Sequence, residues 1–392
     1  MSNQFVKLGE VCDFQGGSQP PKSEHIHEKK PGYIRFIQIR DFESDDYLTF
    51  IPIDKKNKIC QEDDVLIARY GASIGKILTG LSGAYNVALI KCIPDEKRLQ
   101  KRFLYYYLNT SKIQKFIQSR SKRSAQEGVD PKELKQQLIY LPSLETQNRI
   151  VYVLDKAQEL IDKRKAQIEA LDQLTQSVFL EMFGDPIKNT NQYKKEKLAN
   201  LCIKITDGTH HSPPTVKEGI PYITAKHLNK GGLDFFKDPT YVSLEDHQKI
   251  YERCNPEKGD VLYIKDGATT GIAAINHYDF EFSMLSSLAL IKVDFNKLNN
   301  YYLTHFLNNE RVFRKITSGM NGGAIKRLTL KKINNIEVVV PPIELQNQFA
   351  EIIKKIEIQK ELLQKSLEEL ENNFNSLMQR AFKGELFNDK CM

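Results

Sequence analysis

A long-period internal duplication constrains what this chain can fold into more than any other feature. Lys7-Leu8-x-x-Val11-Cys12 returns as Lys197-Leu198-x-x-Leu201-Cys202. Asp64-Val65-Leu66 and Gly71-Ala72-Ser73-Ile74-Gly75 return as Asp260-Val261-Leu262 and Gly267-Ala268-Thr269-Thr270-Gly271. Pro142-Ser143-Leu144-Glu145-x-Gln147-Asn148 returns as Pro341-Pro342-Ile343-Glu344-x-Gln346-Asn347, a shift of 199 residues. That period is too long for a solenoid repeat and describes a duplicated domain with a duplicated connector. Two copies in one chain build a pseudo-two-fold object, suited to a target with two separated parts.

Each copy opens with short strand-like runs between turn signals. These are Tyr33–Ile39, Val65–Arg69 and Ala88–Ile93, then Pro221–Ala225, Val261–Lys265 and Ser287–Val293. A helix follows, with one apolar face on Phe103, Leu104, Tyr107, Leu108 and Ile113, matched by Tyr302, Leu303, Phe306 and Leu307. After Pro142 and Pro341 the pattern changes to a polar stretch with a heptad. Its seam is Ile150, Leu154, Ala157, Ile161, Ile168, Leu171 and Val178, then Phe349, Ile353, Ile356, Leu363, Leu367, Leu370, Phe374 and Leu377. Glu145 to Met182 alone gives a helix of about 57 Å at 1.5 Å per residue, with no internal Pro or Gly. Gly184-Asp185-Pro186 ends the first such helix and Gly384 the second. The expected fold class is α+β: two mixed α/β domains separated by an antiparallel coiled coil of two long helices, with pseudo-two-fold symmetry. The limits read as 1–142, 143–186, 187–341 and 342–392.

Hydrophobic content of 40% and charged content of 27% describe a soluble globular chain. The formal net charge of +7 admits a polyanionic partner without requiring one. No apolar run has the length of a membrane span and Met1–Phe14 is no signal peptide, so a cytoplasmic location is expected. Six scattered cysteines without a C-x-x-C read as reduced thiols, neither a disulfide framework nor a zinc site.

No catalytic motif is complete. Gly71 to Ile77 resembles a phosphate loop, but one residue is missing between the glycines and Ile77 replaces the magnesium-binding hydroxyl. No G-x-G-x-x-G opens a strand–helix unit, so a dinucleotide or methyl-donor pocket has no support. His210-His211 are adjacent on one loop and are an improbable metal pair. Basic and polar residues gather instead in the turns. In the first copy the candidates are Ser18, Gln19, Lys22, Arg40, Arg69, Tyr70, Ser73, Lys76, Arg120, Lys122 and Arg123. In the second they are Thr209, His210, His211, Lys226, Lys265, Asp266, Thr269, Thr270, Asn321, Lys326 and Arg327. Glycine-flanked Arg, Lys, Ser and Thr let a loop approach phosphates and groove edges. Frameworks agree while loops differ, which suggests one binding mode with two specificities.

In this order, and occurring twice, these motifs resemble the specificity subunit of a type I restriction-modification system. The resemblance covers essentially the whole chain. It rests on the Lys-Leu-x-x-x-Cys openings, Gly259-Asp260-Val261-Leu262 with its weaker partner Asp63-Asp64-Val65-Leu66, and Asp207-Gly208-Thr209-His210. It also rests on the two helix openings and on the helix ends Met182–Pro186 and Ala381–Leu386. The resemblance implies a DNA-reading subunit without catalysis. Each target-recognition domain would read one half of a bipartite double-stranded DNA site, with paired helices spacing the domains and docking two methyltransferase (modification) subunits. A motor-nuclease (restriction) subunit would complete an ATP-dependent enzyme. S-adenosylmethionine, ATP and magnesium would then belong to the partners and none to this chain. The alternatives are an enzyme in its own right, a specificity subunit serving a fused methyltransferase-nuclease partner, and a coiled-coil adaptor that does not touch DNA.

Overall fold

The computed structural model describes residues 5–121, 128–318 and 327–387, and of Arg120 it describes only the backbone. Lys122, Arg123, Asn321 and Lys326 lie outside the described residues. The chain forms two compact units: Met1–Lys165 together with Lys365–Met392, and Ala166–Gln364. Each unit therefore owns the opening of one long helix and the closing turns of the other. Consecutive limits along the chain do not express this grouping, because antiparallel pairing joins segments distant in sequence.

In the first unit a four-stranded antiparallel sheet has the order Cys12–Gly16, Leu89–Pro94, Leu66–Ala68, Ile77–Leu78. A second sheet is ordered Phe50–Pro52, Tyr33–Ile37, Gly83–Tyr85, Ile59–Cys60, with its two central strands parallel. The second unit repeats the scheme. Its main sheet is Cys202–Asp207, Leu288–Val293, Val261–Ile264, Ala273–Ile275. Its smaller sheet is Tyr241–Val242, Ile220–Ile223, Ser283–Met284. The central strand Leu288–Val293 is buried on both faces, so its sequence LALIKV is nearly continuously apolar. All six expected strands are present, with ends displaced by one or two residues; Leu89–Pro94 and Ile220–Ile223 each extend one residue past the expected limit.

The helix after the strands is two helices. Lys101–Leu108 stops at Asn109 and Ser111–Ser121 follows; Asn300–Asn308 and Glu310–Thr317 are the counterparts. Ile113 is buried as expected, but from the second member of the pair. In the later copy Asn309 causes the break: its side-chain oxygen accepts the N–H groups of Arg311 and Val312, so it caps a new helix. A two-stranded clasp then closes each domain, Phe5–Lys7 with Leu138–Tyr140 and Lys194–Lys197 with Glu337–Val340.

The long helices run Leu144–Phe183 and Ile343–Lys383. Each begins at a glutamine with no solvent exposure, Gln147 and Gln346. Gln147 Oε1 accepts the Gln100 N–H at 2.9 Å, while its Nε2 donates to the carbonyls of Arg98 and Pro142 at 2.8 and 2.9 Å. Gln346 repeats this with the Asn299 N–H at 2.9 Å and the carbonyls of Lys297 and Pro341 at 3.4 and 2.8 Å. Each helix ends at a glycine in left-handed geometry, Gly184 (φ 73°) and Gly384 (φ 80°), where a side chain would be strained.

The two long helices run antiparallel within each unit. In the first, Arg149 lies over the Phe387 ring and Lys165 pairs with Glu371, so one helix advances as the other retreats. In the second, Phe183 meets Phe349 and Asp172 pairs with Lys360. Ile150, Leu154, Ile161, Phe349, Ile353 and Ile356 are buried; the other expected seam residues are half-buried. Val151, Phe179, Phe183 and Met378 are buried too and fall off the heptad, while buried Ala381 continues it four residues beyond Leu377. The reason is that each helix end packs against a globular domain as well as its partner helix, which widens the apolar stripe. Phe382 packs on Phe103 and Tyr107 in the first unit, and Phe179 and Phe183 pack on Tyr302 in the second. Among the described residues no helix is long and apolar enough to cross a membrane.

Two predictions follow from this packing. Replacing Gln147 by alanine strands one buried N–H and two carbonyls. At about 1–3 kcal/mol per unsatisfied group, partly relieved by relaxation, the variant should lose at least 2 kcal/mol in urea unfolding, and Gln346→Ala should match it. The second concerns His305, whose ring packs edge-on against Phe349 and whose burial lowers its pKa to about 4. The unfolded chain takes up that proton near pH 6.5, so the native state is fully favoured above that pH and weakens as pH falls toward 4. His305→Phe should flatten the acid limb of the melting temperature against pH.

Candidate nucleic-acid interface

Sheet topology decides which loops meet. In the first unit Cys12–Gly16 and Leu66–Ala68 both run antiparallel to the strand between them, Leu89–Pro94. Their C-terminal ends therefore emerge at the same end of the sheet, beside the residues that lead into Leu89. Backbone bonds tie this end together: Gly17 N–H to Leu89, Ser18 N–H to Tyr85 and Arg69 N–H to Ala88, at 3.1, 3.0 and 2.7 Å. The turn carrying Arg40 follows the strand Tyr33–Ile37 and arrives at the same place, since Asn86 donates to the Ile37 carbonyl. The second unit repeats these bonds with Gly208 to Leu288, Thr209 to Met284, Lys265 to Ser287 and Leu285 to Ile223.

Two glycines make the crossing possible. A Cβ on Gly17 would lie 2.0 Å from the Asn86 carbonyl oxygen, and one on Gly208 would lie 2.0 Å from that of Met284. This pairs Ser18 with Thr209 and Gln19 with His210. The loops Ala68–Gly75 and Ile264–Gly271 are likewise the same device. Each is closed by a bond from the second glycine back to the strand, at 2.8 and 2.7 Å. Gly71 and Gly267 both have positive φ (76° and 110°). The residues described next after 121 and 318 meet this end as well. Val129 N–H donates to the Arg69 carbonyl and Leu328 N–H to that of Lys265, at 3.1 and 2.7 Å.

Most of the described candidates thus gather at one end of each unit, but their side chains differ in availability. Arg69 lies 4.9 Å from the exposed Tyr70 ring, and its Nε is buried without a hydrogen-bond partner. Arg40 is half-exposed beside Tyr47. Gln19 and Lys22 are exposed and Ser18 and Ser73 half-buried. Lys76 is committed to Glu43 at 2.7 Å, and Lys226, the counterpart of Arg40, to Asp238 at 2.9 Å.

In the second unit Lys265 is only 3% exposed and its Nζ is held 3.4 Å from Asp207 and 3.1 Å from Asp266. A donor so enclosed does not reach outward, although its position matches that of Arg69. Asp207, also 3% exposed, further receives His210 at 3.2 Å and the Arg253 guanidinium. Asp266 in turn binds Arg327 at 3.0 Å. Thr270 is buried and donates to the Gly267 carbonyl at 2.8 Å, whereas Thr269 and His211 are exposed. His211 is occupied through its backbone with Thr209. Arg253 escapes the sequence reading because it lies outside the turns that the repeated motifs mark, seven residues before Asp260.

The Asp-Val-Leu motif has a local explanation. Asp64 Oδ2 accepts the Gln61 N–H at 2.9 Å and Asp260 Oδ2 the Glu257 N–H at 2.7 Å, each closing the turn before the strand. Lysines Lys91 and Lys292 neutralise the two carboxylates. The crossing makes its own prediction: Gly208→Ala should force the Gly208–Leu285 strands apart and cost about 1–3 kcal/mol, read as a lower melting temperature. Gly16→Ala, where a Cβ meets nothing within 4 Å, should be nearly silent.

Comparison with known proteins agrees with this geometry. The chain is 20% identical to the type I restriction enzyme MjaVIII specificity subunit of Methanocaldococcus jannaschii, covering 98% of this chain and 92% of that protein. It is 24% identical to the MjaIX specificity subunit of the same organism, over 89% and 85%. It is 23% identical to the Escherichia coli EcoBI specificity subunit, over 93% and 82%. Among solved structures, a chain from work on complex assembly and conformational transition of the type I R-M system shares the fold, with a TM-score of 0.59 at 19% identity over 97% and 98% of the two chains. The S subunit from M. genitalium does so with a TM-score of 0.56 at 16% identity over 96% and 95%. The family model of the type I restriction modification DNA specificity domain matches residues 2–171 and again 192–372, so the chain belongs to that family.

Proposed function

We propose that each compact unit reads one half of a bipartite duplex DNA site through the loop end built around Ser18, Arg40 and Arg69 in one and Thr209, Lys226 and Lys265 in the other. The broad role is sequence recognition in DNA for a type I restriction-modification system, without catalysis by this chain. The observation that carries the finer reading is the repetition of one backbone scaffold, bond for bond, beneath unlike side chains. Framework identity keeps the docking geometry; loop chemistry changes what is read. The paired long helices then serve as spacer and as the seat for two modification subunits. A restriction subunit joins the complex, and S-adenosylmethionine, ATP and magnesium are held by these partners. The complex works in the cytoplasm.

Two experiments test this. A graft of a relative's domain in place of 1–142 should change one half of the methylated site and leave the other, provided that aromatic seats equivalent to Phe103, Tyr106 and Tyr107 are kept. Methylome sequencing showing both halves altered would defeat the modular picture. The second adds seven residues after Lys165 and seven after Gln364, the points where the units divide. A heptad adds about 10 Å of helix, so the tolerated gap between half-sites should lengthen by about three base pairs at ~3.4 Å each. An active, folded variant with an unchanged gap would remove the spacer role.

A further inference from the structure

The two units solve the same charge problem differently. In the first, the position before Gly17 is Gly16, which has no carboxylate to offer. Arg69 is left with Tyr70 as its neighbour and an Nε without a hydrogen-bond partner. In the second, the position before Gly208 is Asp207, whose carboxylate takes the matching cation, Lys265, into the interior. Lys265 is thereby spent on Asp207 and on Asp266, which its Nζ meets at 3.1 Å. The same carboxylate also holds the guanidinium of Arg253, which remains 53% exposed.

We propose that Arg253 is the cation of the second unit that contacts DNA, and that buried Asp207 is its positioning residue. Arg253 takes over the task that Arg69 performs in the first unit. This deepens the reading of the loop end as a DNA surface and rests on it. Three features support the assignment. Both contacts of the guanidinium, to Asp207 and to His210, involve Nη2, which leaves the N–H groups of Nη1 and Nε as separate single donors for a ligand. Arg253 is held from behind as well, because its carbonyl accepts Lys204 Nζ at 2.9 Å, which pins the backbone. The carboxylate below removes the rotational freedom of a long side chain, so less entropy is lost when an acceptor is engaged. That acceptor is either one atom of a guanine O6/N7 edge or a phosphate oxygen.

The test uses the chain in complex with its cognate modification subunits and a duplex carrying the site that the wild-type complex methylates. Arg253→Gln should weaken binding by about 5- to 150-fold. If Arg253 reads a base, the methylome should relax at one position of the second unit's half-site, and Arg253→Lys should not restore it. If it holds phosphate, binding should fall on every duplex with a salt slope lower by about one, and Arg253→Lys should recover most of the loss. Asp207→Asn should reproduce the Arg253→Gln defect, and the double variant should be no worse than either single one, as expected when one residue acts through the other. Wild-type affinity, site and salt slope in Arg253→Gln would overturn the proposal. So would a lower melting temperature with equal loss at both half-sites, which would make Arg253 structural. A wild-type complex that methylates no defined bipartite site would instead sink the underlying reading of the loop end.

Discussion

Two buried side-chain amides hold the orientation on which the rest of this structure depends. Gln147 and Gln346 use both ends of their side chains, accepting the backbone N–H of Gln100 or Asn299 and donating to the carbonyl of Pro142 or Pro341 and to that of Arg98 or Lys297. A long helix amplifies any error at its root, because displacement at its far end grows with length. A hydrophobic contact at that point would be tolerant of rotation; three directional hydrogen bonds are not. Both copies use the same amide at the same place, so each domain launches its helix on the same terms.

The second constraint is the way the helices end. Phe374, Phe382, Met378 and Ala381 complete the core that begins with Leu8 and Phe103, and Phe179 and Phe183 complete the one that holds Tyr302 and Leu303. Burying one such aromatic contributes about 1.5–3 kcal/mol, so neither core is finished without the closing turns of the helix from the other repeat. Two repeats written in tandem thus become two units that each draw on both repeats.

At the loop end of each unit the logic is inverted. Backbone bonds among Gly17, Asn86 and Arg69, and among Gly208, Leu285 and Lys265, use no side-chain chemistry. Side chains there are free to vary without disturbing the sheet, which is the physical condition for a surface that changes specificity while keeping its frame. The charge arrangement illustrates this. Two carboxylates, Asp207 in place of Gly16 and Asp266 in place of Tyr70, enclose the cation that ends the strand, and the exposed guanidinium groups beside them are those of Arg253 on Asp207 and Arg327 on Asp266.

Much of this was legible from residues alone. Duplication, the six main strands, both long helices with their glycine stops, and the family resemblance follow from motif order and periodicity, because these are local or repeat at fixed spacing. The heptad seam was also legible, since every residue assigned to it is buried or half-buried. Beyond reach were the short strands of the smaller sheets and the breaks at Asn109 and Asn309, where local preference is weak and partners lie far along the chain. The role of Gln147 and Gln346 was hidden as well: the motif was visible, but a glutamine on a polar helix reads as solvated until its surroundings are known. The availability of a charge was the least legible of all. Sequence determined that a cation ends each matching strand. Only the tertiary structure decided that Lys265 turns inward to Asp207 while Arg253, from a different loop, faces out, because the energy of a charge depends on what is buried beside it.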